Sequence, residues 1–388
     1  MRILISGAGV AGLTLAYWLE KHGHEPIIVE KSADIRTEGY MIDFTGTGWD
    51  VAERMGLIPV IRERAYPTEN VIYKNGQDKV TAQVSVQKLL EAGGGNNFVA
   101  LNRRDLVLTL YESVRDKVEI CFGKSIESLT QSADHVEVSF SDGSSDRFDL
   151  HIGCDGIHSN TRKLVFGPAS DFVHHLGYQF AIFQISPLQY DLARSYQMHV
   201  IPNLQVAVYP TTPNKWLVFV LFKHDSPAVP FQKDRISLLK ERLEGLEWYV
   251  PEILDKINDG DYVFQDTITQ IQMAQWHKGR VGIIGDAAYC PTLISGQGAS
   301  MAMAGAYFLA QAFEQCESHE DAFQMMDTQL RPHINKIQAS ARSFASTFVP
   351  KSYMRMALIN VVLRLSNASI FRSLVGKQIT VNSILPAK

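Results

Sequence analysis

Only four of the 388 residues are cysteine, and Cys121, Cys154, Cys290 and Cys316 stand far apart with no C-x-x-C pair among them. That spacing excludes a disulfide framework, supplies no metal site, and suits a cytoplasmic protein kept reduced. Apolar runs are short. None approaches the roughly 18 residues that a membrane span needs, so no span is expected. The opening Met1-Arg2-Ile3-Leu4-Ile5-Ser6-Gly7 runs from a strand into a glycine turn and lacks the regions of a signal peptide. Internal repeats and low-complexity tracts are absent as well, and the composition excludes intrinsic disorder, collagen and coiled coil. What is present is ordinary: 46% hydrophobic, 20% charged and 10% aromatic residues, enough for a large core. A chain this long holds two domains, or one nucleotide-binding core with a second layer inserted into it.

Acidic residues are missing from one end. None follows Asp327, whereas nine basic residues do, so residues 328–388 carry +9 and the remainder, to reach the net −4, carries −13. Such a split fits a nucleic-acid arm, a membrane arm, or basic helices docked on an acidic body. The tail has no dense basic run with interleaved aromatics, which argues against nucleic acid. Docked helices are expected. Within 351–377, Met354, Leu358, Val361, Val362, Leu365 and Leu374 lie between basic side chains, an amphipathic pattern expected to pack on the body rather than on a bilayer.

Residues 2–6 read as a buried strand, 10–22 as a helix, and Glu25 to Lys31 as a second strand, a βαβ opening. Between strand and helix stands Gly7-Ala8-Gly9-Val10-Ala11-Gly12, a G-x-G-x-x-G pattern in the context that gives it meaning. Gly7 permits the tight turn, Gly9 lets a pyrophosphate approach the backbone, and Gly12 lets the helix pack close. The helix start then offers free N–H groups to phosphate. Glu30 ends the second strand, where a carboxylate accepts from ribose hydroxyls and repels a 2′-phosphate, so the dinucleotide is FAD or NAD rather than NADP. Residues 102–117 read as a helix capped by Asn102. Residues 118–153 alternate, with turn signals at Ser132-Ala133-Asp134 and Asp142-Gly143, and read as a meander of strands. From 174 to 270 the chain is rich in β-branched and aromatic alternation, with a helix near 234–246, as expected of an antiparallel sheet walling a cavity. A buried strand returns at Arg280–Ile284, and the chain is mostly helical from 299.

An NAD dehydrogenase has no use for two further glycine-acid strand ends, yet both are here. One is Asp155-Gly156-Ile157-His158-Ser159-Asn160-Thr161-Arg162; the other is Gly285-Asp286-Ala287-Ala288-Tyr289-Cys290-Pro291, followed by Gly296-Gln297-Gly298. The three landmarks in this order and spacing resemble the class A flavoprotein monooxygenases, the para-hydroxybenzoate hydroxylase-like FAD enzymes, over about residues 1–325. The segment Ile268–Trp276 with Gly285–Gly298 is most similar to the tetracycline-inactivating branch.

The resemblance implies an α/β fold: a Rossmann-like FAD-binding domain in two parts (1–173 and 271–325), an inserted antiparallel-sheet substrate domain (174–270) and a C-terminal helical segment (326–388) that closes the pocket. It implies that Gly7, Gly9, Gly12 and Glu30, with Ala11 and Lys31 beside them, hold the ADP half of FAD, and that Arg103 reaches the flavin side. Asp155 and Gly156 match the motif tied to FAD and reduced nicotinamide, with Arg162 closing it by pairing with Asp155. Gly285 leaves room for the pyrophosphate and Asp286 binds ribityl hydroxyls. Pro291 stiffens the loop under the ring, and the turn Gly296-Gln297-Gly298 aims a helix N-terminus at the flavin, where partial positive charge favours the anionic reduced form.

Tyr40, Met41 and Phe44, with Pro291, are the expected substrate contacts, in a segment without arginine. Arg36 is a further candidate for the cofactor, and His158 for the site. Tyr289 stands where many relatives carry histidine, and Ser300 and Gly305 where many carry asparagine and aspartate. The implied activity is hydroxylation of an aromatic or polycyclic, enol-bearing compound with NAD(P)H and O2 through a flavin C4a-hydroperoxide, in a cytoplasmic monomer. Tetracyclines are the first candidates, with antibiotic resistance the consequence. The chemistry is the cofactor's, so no side chain is assigned as catalytic. A hydroxylase of a simple aromatic acid or biosynthetic polyketide, and a flavin-bound ligand-sequestering protein, are the alternatives. A flavin halogenase is excluded because its W-x-W-x-I-P signature is missing.

Overall fold

The computed structural model describes the chain apart from residues 36–38, 89–96, 193, 213, 366–382 and 386–388. Arg36 and Leu374 therefore lie outside the described residues.

The opening strand β1 (Arg2–Ser6), helix α1 (Val10–Lys21) and strand β2 (Glu25–Glu30) form the expected βαβ unit, with β1 and β2 parallel. They belong to a six-stranded sheet with β7 (Glu119–Phe122), β11 (Leu150–Gly153), β17 (His277–Lys278) and β18 (Val281–Ile283), in the order β17-β18-β11-β1-β2-β7. Every pair is parallel except β17 with β18. Parallel strands have both faces covered, which is why Ile3, Leu4, Ile5, Ile28, Leu150 and Ile152 are wholly buried as continuous apolar runs. The alternation over 118–153 thus contains two kinds of strand. Its ends join the parallel sheet, and only β8 (Ile126–Gln131), β9 (Val136–Phe140) and β10 (Ser145–Phe148) make an antiparallel meander. A two-stranded ribbon pairs β3 (Met41–Thr45) with β6 (Phe98–Asn102).

The second large sheet has seven strands in the order β16-β12-β15-β14-β13-β4-β5. Five come from the insertion: β12 (Val173–Ile185), β13 (Ser195–Ile201), β14 (Leu204–Thr212), β15 (Lys215–Lys223) and β16 (Phe264–Ile271). The other two, β4 (Asn70–Lys74) and β5 (Val80–Ser85), come from far upstream, and β4 joins β13 in parallel. One face carries Ala181, Phe183, Val206, Val208, Val218 and Val220, which pack with Ile236, Leu239, Val250 and Ile253 of helices α6 (Gln232–Leu243) and α7 (Val250–Lys256). The opposite face carries Phe180, Tyr196, Tyr209, Phe219 and Phe264. That face looks toward Tyr40, Met41, Leu293 and Ile294.

The remaining helices are α2 (Thr47–Arg54), α3 (Ile58–Glu63), α4 (Arg103–Val114), α5 (Asn160–Val165), α8 (Asp286–Tyr289), α9 (Gly298–Gln315), α10 (His319–Phe348) and α11 (Tyr353–Leu365). Asn102 caps α4 as expected, its side chain accepting from the Arg104 N–H at 2.9 Å. Helix α9 is almost wholly apolar because it is buried against α1, α2 and α10. Helix α10, in which Glu320, Asp321 and Asp327 balance Arg331, Lys336 and Arg342, docks on the body through neutral acceptors. Arg331 pairs with Asp327 of its own helix and donates to the Met273 carbonyl at 2.8 Å, and Arg342 donates to Gln270 at 2.8 Å. Past α10, Val349 is fully buried among Tyr178, Phe180 and Leu221, so the chain end closes on the aromatic face there. Helix α11 packs on β5 and β13 as expected, but through other residues: Met354 and Leu358 are 84% and 64% exposed, and Val361 and Val362 are exposed with them. Among the described residues no helix is long and apolar enough to cross a membrane.

Candidate active site

All three glycine-acid segments leave the carboxyl ends of neighbouring parallel strands, the place where open α/β sheets bind ligands. The strand ends are tied together before the loops begin. Gly7 donates to the Val29 carbonyl, Cys154 to Ser6 and Ile284 to Gly153, at 2.8, 2.8 and 3.0 Å. Close approach explains the glycines. Gly7 has φ +105°, and a Cβ there would lie 2.6 Å from the Cys154 carbonyl oxygen. A Cβ on Gly12 would lie 2.0 Å from the Gly7 oxygen, and one on Gly285, 3.0 Å from the Ala11 Cβ. The first motif therefore touches both of the others.

Gly9 differs. A Cβ there meets no protein atom within 4 Å, so this glycine borders open space rather than a neighbour. The start of α1 beside it has no side-chain cap and no acid in its first turn. The start of α9, after Gly296 (φ +64°) and Gln297, is likewise uncapped and without acid. Two uncapped helix starts with no acid in their own first turns are suited to anionic phosphate and to an electron-rich ring. Glu30 is held at the end of β2 by the N–H groups of Ala8 and Ser32, both at 2.9 Å. Lys31 is exposed just past it.

The other two motifs are joined through Arg162, which is 2% exposed. It does not pair with Asp155. Its guanidinium donates to the carbonyls of Ile157 at 2.7 Å and Ala287 at 2.9 Å, stapling the loop after Gly156 to the helix after Gly285. Asp155 instead accepts from Ser159 Oγ and from the Thr161 N–H and hydroxyl, at 2.8 and 3.0 Å. Ser6 bonds Thr161 Oγ1 at 3.0 Å and His151 Nε2 at 3.1 Å. Because Thr161 gives its proton to Asp155, Ser6 gives its own to Thr161 and the His151 ring donates from Nε2. Nδ1 of His151 is then a buried nitrogen without a partner. Burial holds this imidazole neutral, down to a pKa of about 4.

Beside the third loop, Tyr40, Arg103 and Asp286 gather. Arg103 donates its backbone N–H to the Tyr40 carbonyl at 2.9 Å. Burial pushes the Asp286 carboxyl up while the Arg103 guanidinium opposes it, and burial pushes the Tyr40 phenol up to about 12. Gly298 lies against Asp286, 3.8 Å from its carboxylate to the would-be Cβ. Pro291 is buried, its carbonyl accepting from Gln270 at 3.1 Å. The next residue, Thr292, has φ +95° and a buried hydroxyl without a partner. A β-branched residue at positive φ costs about 1–3 kcal/mol and persists only where its surroundings impose it. The sequence pattern gave no sign of Thr292; backbone strain is not written in residue types.

Met41 lies between the two sheets, its N–H donating to Tyr209 Oη at 2.9 Å. Phe44 does not join Met41 against the aromatic face. It is 0% exposed, packed near Trp49 in the core of the nucleotide-binding half, where its burial contributes about 2 kcal/mol. The reason is parity: on β3, residue 44 faces opposite to 41. His158 bonds Asp266 of the aromatic wall at 3.2 Å. The departures at 289 and 305 explain each other, since the buried Tyr289 hydroxyl lies 1.8 Å from where a Cβ on Gly305 would stand. Ser300 donates to the Thr45 carbonyl at 2.9 Å, tying α9 to β3.

The donors, open glycine face and orphaned Thr292 hydroxyl fit a dinucleotide with a bulky ring system, and the fold and loops define a dinucleotide-binding flavoprotein. A family model described as FAD binding domain matches residues 1–329, and the chain belongs to that family. A flavin-dependent monooxygenase from an unknown prokaryotic organism is 32% identical over 343 residues, covering 87% of this chain and 88% of that one. The crystal structure of tetracycline destructase Tet(55) superposes with a TM-score of 0.82 at 28% identity, over 100% of this chain and 98% of that one. Klebsiella pneumoniae HpxO, complexed with FAD and uric acid, shares the fold at a TM-score of 0.80 and 22% identity, over 98% and 97% of the two chains. The protein is a flavin-dependent oxidoreductase that binds FAD.

Proposed function

We propose that this protein is an FAD-dependent monooxygenase that uses NAD(P)H and O2 to hydroxylate an aromatic or polycyclic, enol-bearing compound, with tetracyclines the first substrates to test. Bound FAD supplies the redox chemistry, taking electrons from NAD(P)H and passing one atom of O2 to the substrate. In this reading Gly7, Gly9, Ala11, Gly12 and Glu30 hold the ADP half. Gly285, Asp286 and Arg103 hold the ribityl and flavin end, and the start of α9 after Gly296, Gln297 and Gly298 favours negative charge on the ring. Asp155, Gly156 and Arg162 keep the second loop in register with the third.

The observation that carries the reading is the aromatic face of the seven-stranded sheet, where Phe180, Tyr196, Tyr209, Phe219 and Phe264 cluster with Tyr40, Met41, Leu293 and Ile294. In this reading that face is the wall of the substrate chamber. Flat apolar walls bury a flat polycycle and exclude the water that would divert activated oxygen into peroxide. Asp43 and Asp266 lie within electrostatic reach of the tyrosines of this chamber. Two acids there disfavour a simple aromatic acid as substrate. The likeness to tetracycline destructase Tet(55) supports a tetracycline-modifying enzyme. The test is to incubate the FAD-loaded protein with NADPH, NADH and tetracycline under air. The expected result is substrate-stimulated NAD(P)H consumption and a product heavier by one oxygen atom. Binding of tetracycline without consumption of either nucleotide would leave a sequestering protein instead.

A further inference from the structure

Helix α11 is apolar on two sides, and the body covers one of them. It lies along β5 and β13. Met356, Ile359, Asn360 and Leu363 are half-buried and recur at helical spacing, so they form the side turned to those strands. A second stripe faces out. Met354, Leu358, Val361 and Val362 are exposed, with Tyr353 and Ala357 beside them. Of the twelve large hydrophobic side chains exposed among the described residues, five belong to this helix, so the exposure is a patch rather than scatter. At roughly 100° per residue, Ala357, Val361, Met354, Leu358 and Val362 follow one another around an arc of about 140°. Helical register sets Arg355 at one border of that arc and position 364, also arginine, at the other.

An apolar arc edged by arginines suits a helix lying in the interface of a bilayer, where the arc enters the acyl boundary and long basic side chains reach back to the headgroups. The charge around the arc has one sign. From residue 349 onward the charged side chains are Lys351, Arg355, Arg364, Arg372, Lys377 and Lys388, with no acid among them. Lys351 and Arg355 are exposed. Such a segment is drawn to lipid phosphates. Residues 1–327 carry −13, the net −4 less the +9 of the rest, so an anionic surface repels the body and turns α11 toward itself. A second copy of the chain is a poor cover, because a twofold contact through this face sets arginine borders against each other with no acid to meet them. We propose that α11 docks the protein on an anionic lipid surface, with Met354, Leu358, Val361 and Val362 entering the headgroup boundary and the flanking arginines pairing with lipid phosphates. Val349, four residues before α11, is buried on the aromatic face of the seven-stranded sheet, so the docked helix stands next to that face. The inference does not depend on which substrate the enzyme takes.

The test uses the full-length, FAD-loaded protein and co-sedimentation with vesicles, either phosphatidylcholine alone or an equal mixture with anionic phosphatidylglycerol. Binding to the mixed vesicles is expected to be tighter by about tenfold or more and to weaken with added salt. Met354→Ser combined with Leu358→Ser should weaken binding to the mixed vesicles by about tenfold or more, while the thermal midpoint and flavin absorbance stay at wild-type values. Arg355→Glu combined with Arg364→Glu should remove the preference for the mixed vesicles. No binding to either vesicle, equal binding to both, or binding untouched by the serine pair would overturn the proposal. A lower thermal midpoint in the serine pair would overturn it too, by showing that the chain itself covers the stripe. So would a concentration-dependent dimer of wild type that the serine pair abolishes, since a second copy would then be the cover.

Discussion

The two halves of the proposed chamber are made in opposite ways. The cofactor side is assembled from short loops at the ends of adjacent parallel strands, with glycines wherever backbones come too close for a Cβ. Gly7 against Cys154, Gly12 against Gly7 and Gly285 against Ala11 leave no slack. The wall opposite is one face of a broad sheet, set with large rings whose spacing is regular and whose identities can vary. It draws β4 and β5 from more than a hundred residues upstream of β13. The contrast teaches that cofactor binding is specified by backbone proximity, whereas substrate choice is left to side chains on a scaffold that tolerates exchange.

The largest effects should come from the tight side. Gly12→Ala forces a Cβ against the Gly7 carbonyl oxygen and should cost roughly 3 kcal/mol, the upper range for overpacking, with loss of flavin. Gly9→Ala should behave differently, because its Cβ enters open space. Thermal unfolding without FAD should shift by no more than about 0.5 kcal/mol, while FAD affinity falls about tenfold or more. If Gly9→Ala bound FAD normally, the open face beside Gly9 would not be the phosphate path.

Acid should strike the same side next. His151 stays neutral when folded until about pH 4 but protonates near its ordinary pKa of about 6.5 when unfolded. As pH falls from 6.5 to 4 the unfolded state alone takes up the proton, so stability declines by roughly 3 kcal/mol and then levels off. Urea midpoints across that range should show the slope, and His151→Asn should flatten it. An unchanged slope in that variant would move the acid sensitivity elsewhere.

Substitutions at the junction of the halves should be milder. Tyr209→Phe removes the acceptor for the Met41 N–H and should cost about 1 kcal/mol. It should raise KM for the substrate while flavin content holds; loss of flavin would assign β3 to the cofactor rather than to the wall. Ser300→Ala loses one bond, to the Thr45 carbonyl, and should cost about 1 kcal/mol or less. Absorbance near about 450 nm, the flavin band, should remain. Bleached protein would mean that Ser300 touches the ring.

Particular residues show where sequence reading succeeds. Gly7, Gly9 and Gly12 are recognisable because their work is local: six residues between a strand and a helix carry the whole pattern. Asn102 as a cap is legible for the same reason. Phe44 was misplaced because alternation along β3 names two faces without saying which is the core. Arg162 was expected at Asp155, seven residues away, but found carbonyls at Ile157 and Ala287. The second of those is 125 residues distant. The match of Tyr289 to Gly305 spans a helix packing that no local window contains.

By itself, then, the order of amino acids determined a dinucleotide fold, the three landmarks proposed to grip FAD, and an aromatic-rich insertion. Each depends on contacts between near neighbours in the chain, whose geometry follows from residue type. Tertiary structure alone decided that β4 completes the wall, that Met41 packs against it while Phe44 turns away, and that Thr292 is held under strain. Those outcomes depend on which surfaces meet when distant segments pack, and they arise only once the sheets have closed on each other.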